Sequence, residues 1–359
     1  MLSFFNLYHS KIKSSWGLHI TSRHLRAIKV AQKGKSWRIE TVSKLDLPKG
    51  VVDMGVILDN VNFIKFLEEL KHKVLPESLK SPYITTNLSE VHAFFRTINM
   101  PELSPEEMEE AVYWEAESNI PLPVEKVYLA WDKLPEKENN KLTVLISATP
   151  KSVIDQLIGS LKRAKLIPLI IEPESAALLR GLTLTNSLPI LDAPILILDL
   201  KEHYTHIIAF DAKVVRLSTT SEHCSVNFDL ALAEAFKIKE EEAEKYRQRI
   251  GWNEQEELGR KLIEATSNAF QNLKKDILSA VSFYGNKSNR DIKQIVLTGE
   301  KKSKWLGFDR FLEKEIGLPV DWQKVWNPEI WPSKSPYLDE ENEEYNIAIG
   351  LALRKLEEE

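Results

Sequence analysis

Histidine and cysteine side chains that could hold a zinc ion cluster in one part of this sequence. They are His203, His206, His223 and Cys224. Imidazole and thiolate groups are common zinc ligands. Residues three apart on a strand point to opposite faces, so His203 and His206 would not converge on one ion. We therefore predict that these residues are surface or turn residues and that no metal site forms here.

Serine, histidine and aspartate, the components of a hydrolytic triad, are also plentiful. The G-x-S-x-G motif, which exposes the nucleophilic serine of many hydrolases at a sharp turn, does not occur. The sequence motifs therefore do not indicate hydrolase chemistry of that type.

Composition excludes further classes of function. A net charge of -5, from 48 basic and 53 acidic residues spread along the chain, provides no basic stripe for nucleic acid. The single cysteine, Cys224, permits no intrachain disulfide and fits a reducing compartment, so we expect a cytoplasmic protein. No apolar run approaches the roughly 18 residues of a membrane span, and the opening MLSFFNLYHSKIK lacks a continuous signal-peptide core. We expect any membrane role to come through a partner.

The first half of the chain opens with a predicted strand meander. The runs GLHI, LRAIKVAQ and WRIETVSKL predict three strands between Trp16 and Leu47, with a turn at Lys33 to Ser36. Apolar residues at helical spacing predict a helix from Asn60 to Leu75, ended by Pro76. A strand is predicted at Tyr83 to Thr86 and a helix at Lys151 to Ala164. The run LIPLII is predicted to be a buried strand, and Pro173 to Leu182 a helix that joins two lobes.

The second half repeats this opening after the hinge-like segment NSLPILDAP. Its predicted strands are Ile195 to Asp199, His206 to Asp211 and Val214 to Thr219, and two similar meanders predict two related lobes. The later elements are helices at Asp229 to Phe236, Lys239 to Arg249 and Leu258 to Tyr284, a strand at Ile295 to Thr298, a loop from Pro319 to Pro336 and a final helix, NIAIGLALRKLEEE. In the loop, Trp322, Trp326 and Trp331 are predicted to pack on the second lobe.

Between the two meanders lies a candidate inserted module. Ser104, Pro105 and Glu107 predict a helix start with a capping box, and the sequence IPLP stops that helix. Strands are predicted before the helix from His92, after it from Val124 to Trp131, and again up to Ala148, with PEKENNK as the last hairpin loop.

The pattern P-x-L-x-x-E-x-x-x-A-x-x-W-E-A-E-x-x-I-P-x-P in this module resembles the PilM family of type IV pilus assembly proteins. Other family motifs occur in the same order: MLSFF, GLHITSRHLRAIKV, EPESAALLRGL, ILILDLKEHYT, KEEEAEKYR, IVLTGE and AIGLALR. The resemblance implies an α/β, actin-like, two-lobed fold like that of the cell-division protein FtsA, with a strand-helix-strand-strand subdomain inserted in the first lobe. The membrane-binding tail of FtsA has no counterpart before Glu359.

The resemblance and the element pattern together predict domain boundaries. They are 1–88 for the first lobe, 89–166 for the inserted subdomain, 167–182 for the return to the first lobe and the interlobe helix, 183–337 for the second lobe with a helical subdomain at about 222–290, and 338–359 for the C-terminal helix.

The family's nucleotide loops are altered in this chain. The first loop, G-I-D-I-G-S, corresponds to Gly17 through Ser22, so His19 replaces the acid and Thr21 the second glycine. The second, D-I-G-x-x-x-T, keeps Asp199 and Thr205 but has Lys201 instead of glycine. A Gly-Gly pair before a helix aligns with Cys224 and Ser225, and an S-G-G turn survives in part as Thr298, Gly299 and Glu300.

The nucleotide-binding remnant that the resemblance implies comprises Thr21, Ser22, Asp199, Lys201, Thr205, Gly299 and Glu300. Glycines let bare backbone N–H groups approach phosphates, so their replacement weakens such a site. We expect a pseudo-ATPase with no cofactor, or with weakly bound ATP and magnesium. The alternative left open is an ATPase switch, in which Lys201 binds phosphate as a point cation and Gly299 seats the adenine.

Aromatic residues crowd the inserted module. The resemblance implies that the short N-terminal tail of the membrane protein PilN docks in a groove beside this module. The candidate groove residues are Phe94, Phe95, Trp114, Tyr128 and Trp131, although some of them are expected to be core. Phe94 and Phe95 are adjacent on a strand, so only one of them can face a given layer.

We therefore expect a cytoplasmic scaffold, peripheral to the inner membrane, that links a PilN-like tail to other components of type IV pilus assembly. Homo-oligomers of the chain are left open. The equivalent scaffold of a type II secretion system is a further alternative that shares the fold.

Overall fold

The computed structural model describes residues 15–33, 36–73, 81–120, 122–138, 141–184, 188, 193–211, 214–299, 305–323 and 342–354. These residues form two compact units. Unit 1 contains the described residues of 15–181 and 345–354, and unit 2 contains those of 182–323 and 342–344. No helix in the described ranges combines the length and the apolar character that crossing a membrane requires.

The elements up to the end of unit 1 are β1 (Trp16–Ile20), β2 (His24–Lys33), β3 (Ser36–Asp46), β4 (Val52–Asp53), β5 (Val56–Ile57), α1 (Asn60–His72), β6 (Tyr83–Leu88), β7 (Phe94–Met100), α2 (Pro105–Asn119), β8 (Val127–Glu138), β9 (Lys141–Pro150), α3 (Lys151–Arg163), β10 (Ile167–Pro173) and α4 (Glu174–Leu184). Those that follow are β11 (Ile195–Leu200), β12 (Thr205–Asp211), β13 (Val214–Ser221), α5 (Ser225–Phe236), α6 (Glu240–Ile250), α7 (Glu257–Ala265), α8 (Ser267–Ser288), β14 (Gln294–Gly299), α9 (Phe308–Ile316), β15 (Val320–Trp322) and α10 (Asn346–Ala352).

The two units contain sheets of the same topology. Unit 1 has the order β10-β6-β1-β2-β3, and unit 2 has the order β15-β14-β11-β12-β13. In each sheet the three strands that come first in the sequence form an antiparallel meander. The first strand of each meander also pairs in parallel with the strand of that sheet that comes fourth in the sequence, which is β6 in unit 1 and β14 in unit 2. The inserted parts differ, because the module from β7 to β9 precedes α3 in unit 1 whereas α5 to α7 precede α8 in unit 2.

Strand alternation places opposite faces of β1 in different layers of unit 1. Trp16, Leu18 and Ile20 pack in a buried cluster with side chains of α1 and α3. The other face meets α10, which returns from beyond unit 2 to lie on β1. A Cβ atom on Gly17 would overlap the backbone of α10 at Ala348, so glycine is required there for close packing.

The module is a three-stranded antiparallel sheet of order β7-β9-β8, covered on one face by α2. The predicted capping box is confirmed, because Ser104 N–H donates to Glu107 Oε2 at 2.9 Å and Glu107 N–H donates to Ser104 Oγ at 3.4 Å. Met108, Val112 and Ala116 of α2 are buried against the sheet. The hydrogen bond from Ser104 also holds the pKa of the Glu107 carboxyl below its ordinary value.

Several predicted boundaries in the module and in unit 2 are wrong. The segment PEKENNK is not a loop throughout, because β8 continues to Glu138, opposite Lys141. Val124–Lys126 is a short 3-10 helix that precedes the strand. The helix predicted from 258 to 284 is broken at Thr266, whose hydroxyl donates to the carbonyl of Leu262 at 2.8 Å.

The region after β14 also differs from the prediction. Helix α9 was not predicted, and β15 lies within the segment expected to be a loop, where Trp322 is buried in the core of unit 2. Strand β15 depends on parallel pairing with β14, which leaves no local pattern in three residues. Helix α10 ends at Ala352, earlier than predicted, and the segment NSLPILDAP, Pro76, Trp326 and Trp331 lie wholly or largely outside the described residues.

Candidate functional site

Four members of the predicted nucleotide site come together in unit 2, at one end of its sheet. Leu200 at the end of β11 lies opposite Gly299 of β14 and also opposite Thr205 of β12. Asp199 and Lys201 flank Leu200 in the sequence. The predicted residues Thr21 and Ser22 belong to unit 1, and Glu300 lies outside the described residues.

Lys201 forms an ion pair with the buried Asp199. Its Nζ lies 3.3 Å from Asp199 Oδ2, donates to the Tyr204 hydroxyl at 3.2 Å, and lies 5.1 Å from the centre of the Tyr204 ring. A carboxylate with 1% side-chain exposure needs a compensating charge, and this lysine supplies it. The acid that the family places beside a metal is thus neutralised from within the chain.

The turn that contains Lys201 closes without a glycine. Lys201 N–H donates to the carbonyl of Tyr204 at 3.1 Å, which completes a tight hairpin between β11 and β12. The described non-glycine residues with positive φ are Met54, Lys165, Lys237 and Asn289, so Lys201 has an ordinary backbone conformation. Gly299 has φ +100, and a Cβ atom there would overlap the Asp199 side chain.

The N-terminus of α5 is bound by this same turn. Free N–H groups at a helix start can bind a phosphate. Here the N–H of Val226 donates to the carbonyl of Glu202 at 3.2 Å, and the N–H of Cys224 donates to Asn227 Oδ1 at 2.8 Å. The Thr205 hydroxyl donates to the carbonyl of His223 at 2.8 Å. Each of these polar groups therefore has a partner within unit 2.

In unit 1 a buried polar cluster surrounds the residue that replaces the family's first acid. His19 Nε2 lies 3.6 Å from Glu174 Oε1, and both side chains are buried. Asn87 Nδ2 donates to Glu174 Oε1 at 2.7 Å, while its amide also bonds the N–H and the carbonyl of Ile20. The ends of β1 and β6 and the start of α4 are joined by this cluster.

The start of α4 binds a carboxylate of its own unit. The N–H of Ser175 donates to Glu90 Oε1 at 3.0 Å, and the Ser175 hydroxyl donates to the same oxygen. Glu90 is buried. An anion near a helix N-terminus is stabilised by the helix dipole and the N–H groups, so Glu90 occupies the place that a phosphate oxygen could take.

Thr21 and Ser22 have structural partners as well. Thr21 Oγ1 accepts from the N–H groups of Arg23 and His24, at 3.2 and 2.9 Å, and donates to the His24 carbonyl. Ser22 Oγ accepts from the N–H of Met54 at 3.0 Å. The Thr21 hydroxyl therefore stabilises the turn between β1 and β2, and the Ser22 hydroxyl joins that turn to Met54, which lies between β4 and β5.

Sequence reasoning missed Glu174, Glu90 and Asn87, which complete this part of the site. The only sequence signal was the polar stretch within the motif EPESAALLRGL, whose two glutamates stand at the junction of a predicted buried strand and a helix. Their partners lie far away in the chain, so the pairing itself had no local signature.

The predicted groove aromatics do not form one surface. Phe94 and Trp131 are partly buried on the face of the module sheet that α2 covers. Trp114 lies on the outer side of α2, where 65% of its surface is exposed. Phe95 is opposite Ser147 in the register of β7 and β9.

Tyr128 faces the other side, toward the body of unit 1. It packs partly against the cluster that contains side chains of α1 and α3. Its hydroxyl donates to Asp155 Oδ1 of α3 at 2.8 Å, and Lys151 Nζ lies 5.6 Å from its ring centre. The bond to Asp155 raises the pKa of the Tyr128 hydroxyl above its ordinary value. Tyr128 thus marks the junction between the module and α3.

The histidines of the possible zinc set have separate surroundings. The prediction that they are surface or turn residues is wrong for His206, which is buried on β12 with Nε2 2.8 Å from Ser218 Oγ. His203 Nε2 lies 3.7 Å from Glu202 Oε1. Cys224 is buried at the start of α5, where its thiol donates to Asn227 Oδ1 at 3.0 Å. Among the residues that the structure describes, no group of three or more histidine, cysteine, aspartate or glutamate side chains could hold a metal ion.

Comparison with protein families gives one match that spans most of the chain. The family described as "Type IV pilus assembly protein PilM" matches residues 17–356. A comparison with curated protein sequences finds no significant match.

Solved structures with similar folds include three informative examples. A PilM-PilN type IV pilus biogenesis complex matches with a TM-score of 0.78 and 22% identity, over 96% of this chain and 98% of that chain. The ethanolamine utilization protein EutJ of Carboxydothermus hydrogenoformans gives 0.52 and 13%, over 98% and 92%. MreB 5 of Spiroplasma citri bound to AMPPNP gives 0.51 and 12%, over 95% of both chains. At these identities the similarity establishes the fold, which is actin-like, as the sequence predicts.

Proposed function

Because this chain belongs to the PilM family of type IV pilus assembly proteins, we propose that it is a non-catalytic scaffold that holds the tail of a PilN-like membrane protein. The observation that supports this most is the family match over residues 17–356. Its role in type IV pilus assembly follows from that membership. The scaffold activity, the mode of tail binding and the absence of ATP turnover are the parts that we propose.

Internal bonding in both units supports a pseudo-ATPase. In unit 2 the acid Asp199 is neutralised by Lys201, and the N-terminus of α5 is bound by the turn that Lys201 begins. In unit 1 the basic side chain of His19 faces Glu174, and Glu90 binds the start of α4. A magnesium–phosphate group would have to displace these partners, so the residues present do not fit Mg-ATP.

A titration with Mg-ATP tests this part of the proposal. We expect the melting temperature of the protein to stay unchanged up to millimolar nucleotide, because a ligand that does not bind the folded state cannot stabilise it. Spiroplasma MreB 5, solved with AMPPNP, provides the positive control. Micromolar binding by calorimetry together with release of phosphate would refute the pseudo-ATPase and favour the ATPase switch.

We propose that the tail docks at the junction between the module and α3, next to Tyr128. The resemblance places the groove beside the module, and one of the five candidate aromatics, Tyr128, faces this junction. Lys151 and Asp155 provide one charge of each sign within reach of a bound peptide. Phe94 and Trp131 are then supporting core residues of the module.

The test is calorimetry with a synthetic peptide of the N-terminal tail of the PilN-like protein from the same organism. We expect Tyr128→Ala to weaken binding at least about tenfold, as a buried aromatic anchor does. Tyr113→Ala is the matched control, because Tyr113 is an exposed tyrosine on the outer side of α2. Equal affinities of the Tyr128→Ala variant and the native protein would exclude this docking site.

A further inference from the structure

Two exposed helix faces, one in each unit, have complementary chemistry. The first is the outer side of α2 in unit 1. Trp114 and Tyr113 are 65% and 45% exposed, and their rings meet edge to face with centres 6.0 Å apart. Large apolar side chains exposed in a contiguous group mark interaction sites more often than isolated ones do.

The aromatic pair lies on a strongly acidic helix. Helix α2 contains six glutamates and no lysine or arginine. Glu110 and Glu117 lie one turn before and one turn after the pair, so they share its face. This surface repels acidic partners and suits a basic surface with apolar residues at its centre.

The second face is on α8 in unit 2. Phe283 and Leu278 are 54% and 41% exposed there. They line an open depression of about 640 Å³ together with Lys275 and small polar residues such as Ser279 and Ser282. These residues recur at helical spacing along one side of α8, so apolar and basic groups share one surface.

We propose that α2 of one copy of this chain docks in the α8 depression of a second copy. The tryptophan–tyrosine pair would contact Leu278 and Phe283, and a glutamate of α2 would face Lys275. A second copy is the occupant that the charges favour, since the acidic aromatic face and the basic apolar face are present on the same chain.

The contact joins a different face of each copy, so a pair that is held together by one such contact is heterologous. A heterologous contact leaves one free face at each end of a pair and therefore adds further copies head to tail. One helix face on each side is small compared with the roughly 800 Å² per partner of a stable interface. We therefore expect association that is weak, that rises with protein concentration and that falls with salt.

Sedimentation velocity of the full chain tests this proposal over a protein concentration range of about a hundredfold. The native protein is expected to grow beyond a dimer at high concentration in low salt, and to dissociate as salt is added. Trp114→Ala, which breaks the α2 face, and Phe283→Ala, which breaks the α8 face, are each expected to stay monomeric. Leu258→Ala removes an apolar side chain of α7 that is 45% exposed, and this variant is the control that should associate like the native protein.

The decisive sample is an equimolar mixture of the two broken variants. Each supplies the intact face that the other lacks, so the mixture is expected to form dimers and nothing larger. A native protein that stays monomeric at every concentration would overturn the proposal. So would loss of association in only one of the two variants, because that result indicates a symmetric contact. Binding of the PilN-like peptide to Tyr128 is measured on monomers, so the two proposals fail independently.

Discussion

The first hairpin of unit 1 and the first hairpin of unit 2 have the same backbone but opposite chemistry. Ile20 lies opposite Leu25 and Leu200 opposite Thr205, and each turn is closed by a bond from the first turn residue to the fourth, at 3.0 and 3.1 Å. In this register His19 of unit 1 corresponds to Asp199 of unit 2. Each is buried, and each lies beside a side chain of its own unit that can carry the opposite charge.

The comparison shows two ways of placing a polar residue at the same buried position of a hairpin. An ionisable side chain can be kept in the core if a side chain of opposite sign is placed beside it. In unit 1 that side chain is Glu174 of α4, whereas in unit 2 it is Lys201, two residues after Asp199 in the same hairpin. In both units the buried polar side chain at the end of the sheet therefore has a partner within its own unit.

We expect the largest loss of stability from a substitution that makes the first hairpin of unit 1 resemble the first hairpin of unit 2. His19→Asp restores the family's acid but places it against the buried Glu174, so two carboxylates would share one desolvated site. We expect a loss of about 4 kcal/mol of unfolding free energy at neutral pH, the magnitude typical of an uncompensated buried charge. Urea unfolding provides the measurement.

His19→Asn, which adds no charge, is the control and should cost clearly less. Native stability of His19→Asp would contradict the expectation that a second carboxylate beside the buried Glu174 destabilises unit 1.

A second comparison concerns Gly17 and its equivalent in unit 2, Ile197. Both lie on buried strands, but Gly17 alone is covered by the backbone of α10. We expect Gly17→Ala to destabilise the protein by about 3 kcal/mol, because the added methyl group has to displace a helix. Gly50→Ala is less informative, since Gly50 has positive φ. Gly159→Ala is the better control, because a Cβ atom there meets nothing within 4 Å.

Thermal or urea unfolding checks the pair of glycine variants. Equal stability of Gly17→Ala and Gly159→Ala would mean that α10 is not held tightly on β1.

A smaller effect is expected when the lysine of unit 2 is removed. Lys201→Gly restores the family's glycine but leaves the buried Asp199 without its partner, at a cost of about 2 kcal/mol. Lys201→Arg keeps the charge and should recover part of the loss. A double-mutant cycle with Asp199→Asn isolates the coupling of the pair, and a coupling near zero would contradict the ion-pair explanation.

The smallest effect concerns His92, which lies at the entry to the module in unit 1. Burial holds the pKa of His92 below its ordinary value of 6.5. The folded state therefore binds this proton less readily than the unfolded state, so the stabilisation is present above about pH 6.5 and is lost as the pH falls below it. His92→Gln should reduce the decline in unfolding free energy between about pH 7.5 and 5.5. An unchanged decline would assign it to other groups.

Local features of this fold could be predicted from sequence, while features that depend on distant contacts could not. Ser104, Pro105 and Glu107 define a helix start within four residues, and alternating runs define both meanders. The break at Thr266 and the three-residue β15 have no such local pattern, because tertiary packing and pairing with β14 decide them.

The candidate site was predictable to a similar extent. The motif alignment singled out His19 and Lys201 as replacements and Asp199 as a retained acid, and the structure adds what each one contacts. Lys201 and Asp199 are separated by one residue in the sequence, yet the distance between their side chains depends on the turn between β11 and β12. The pairing of His19 with Glu174 joins β1 to α4 and could be recognised only once the sheet was assembled.

The position of α10 determines the order in which the molecule can be completed during synthesis. Helix α10 covers β1, yet it leaves the ribosome after all of unit 2. One face of the unit 1 sheet therefore stays exposed to water until unit 2, whose strands and helices are contiguous in the sequence, has been synthesised and has folded. For that interval the face of β1 around Gly17 lacks the helix that covers it in the folded protein.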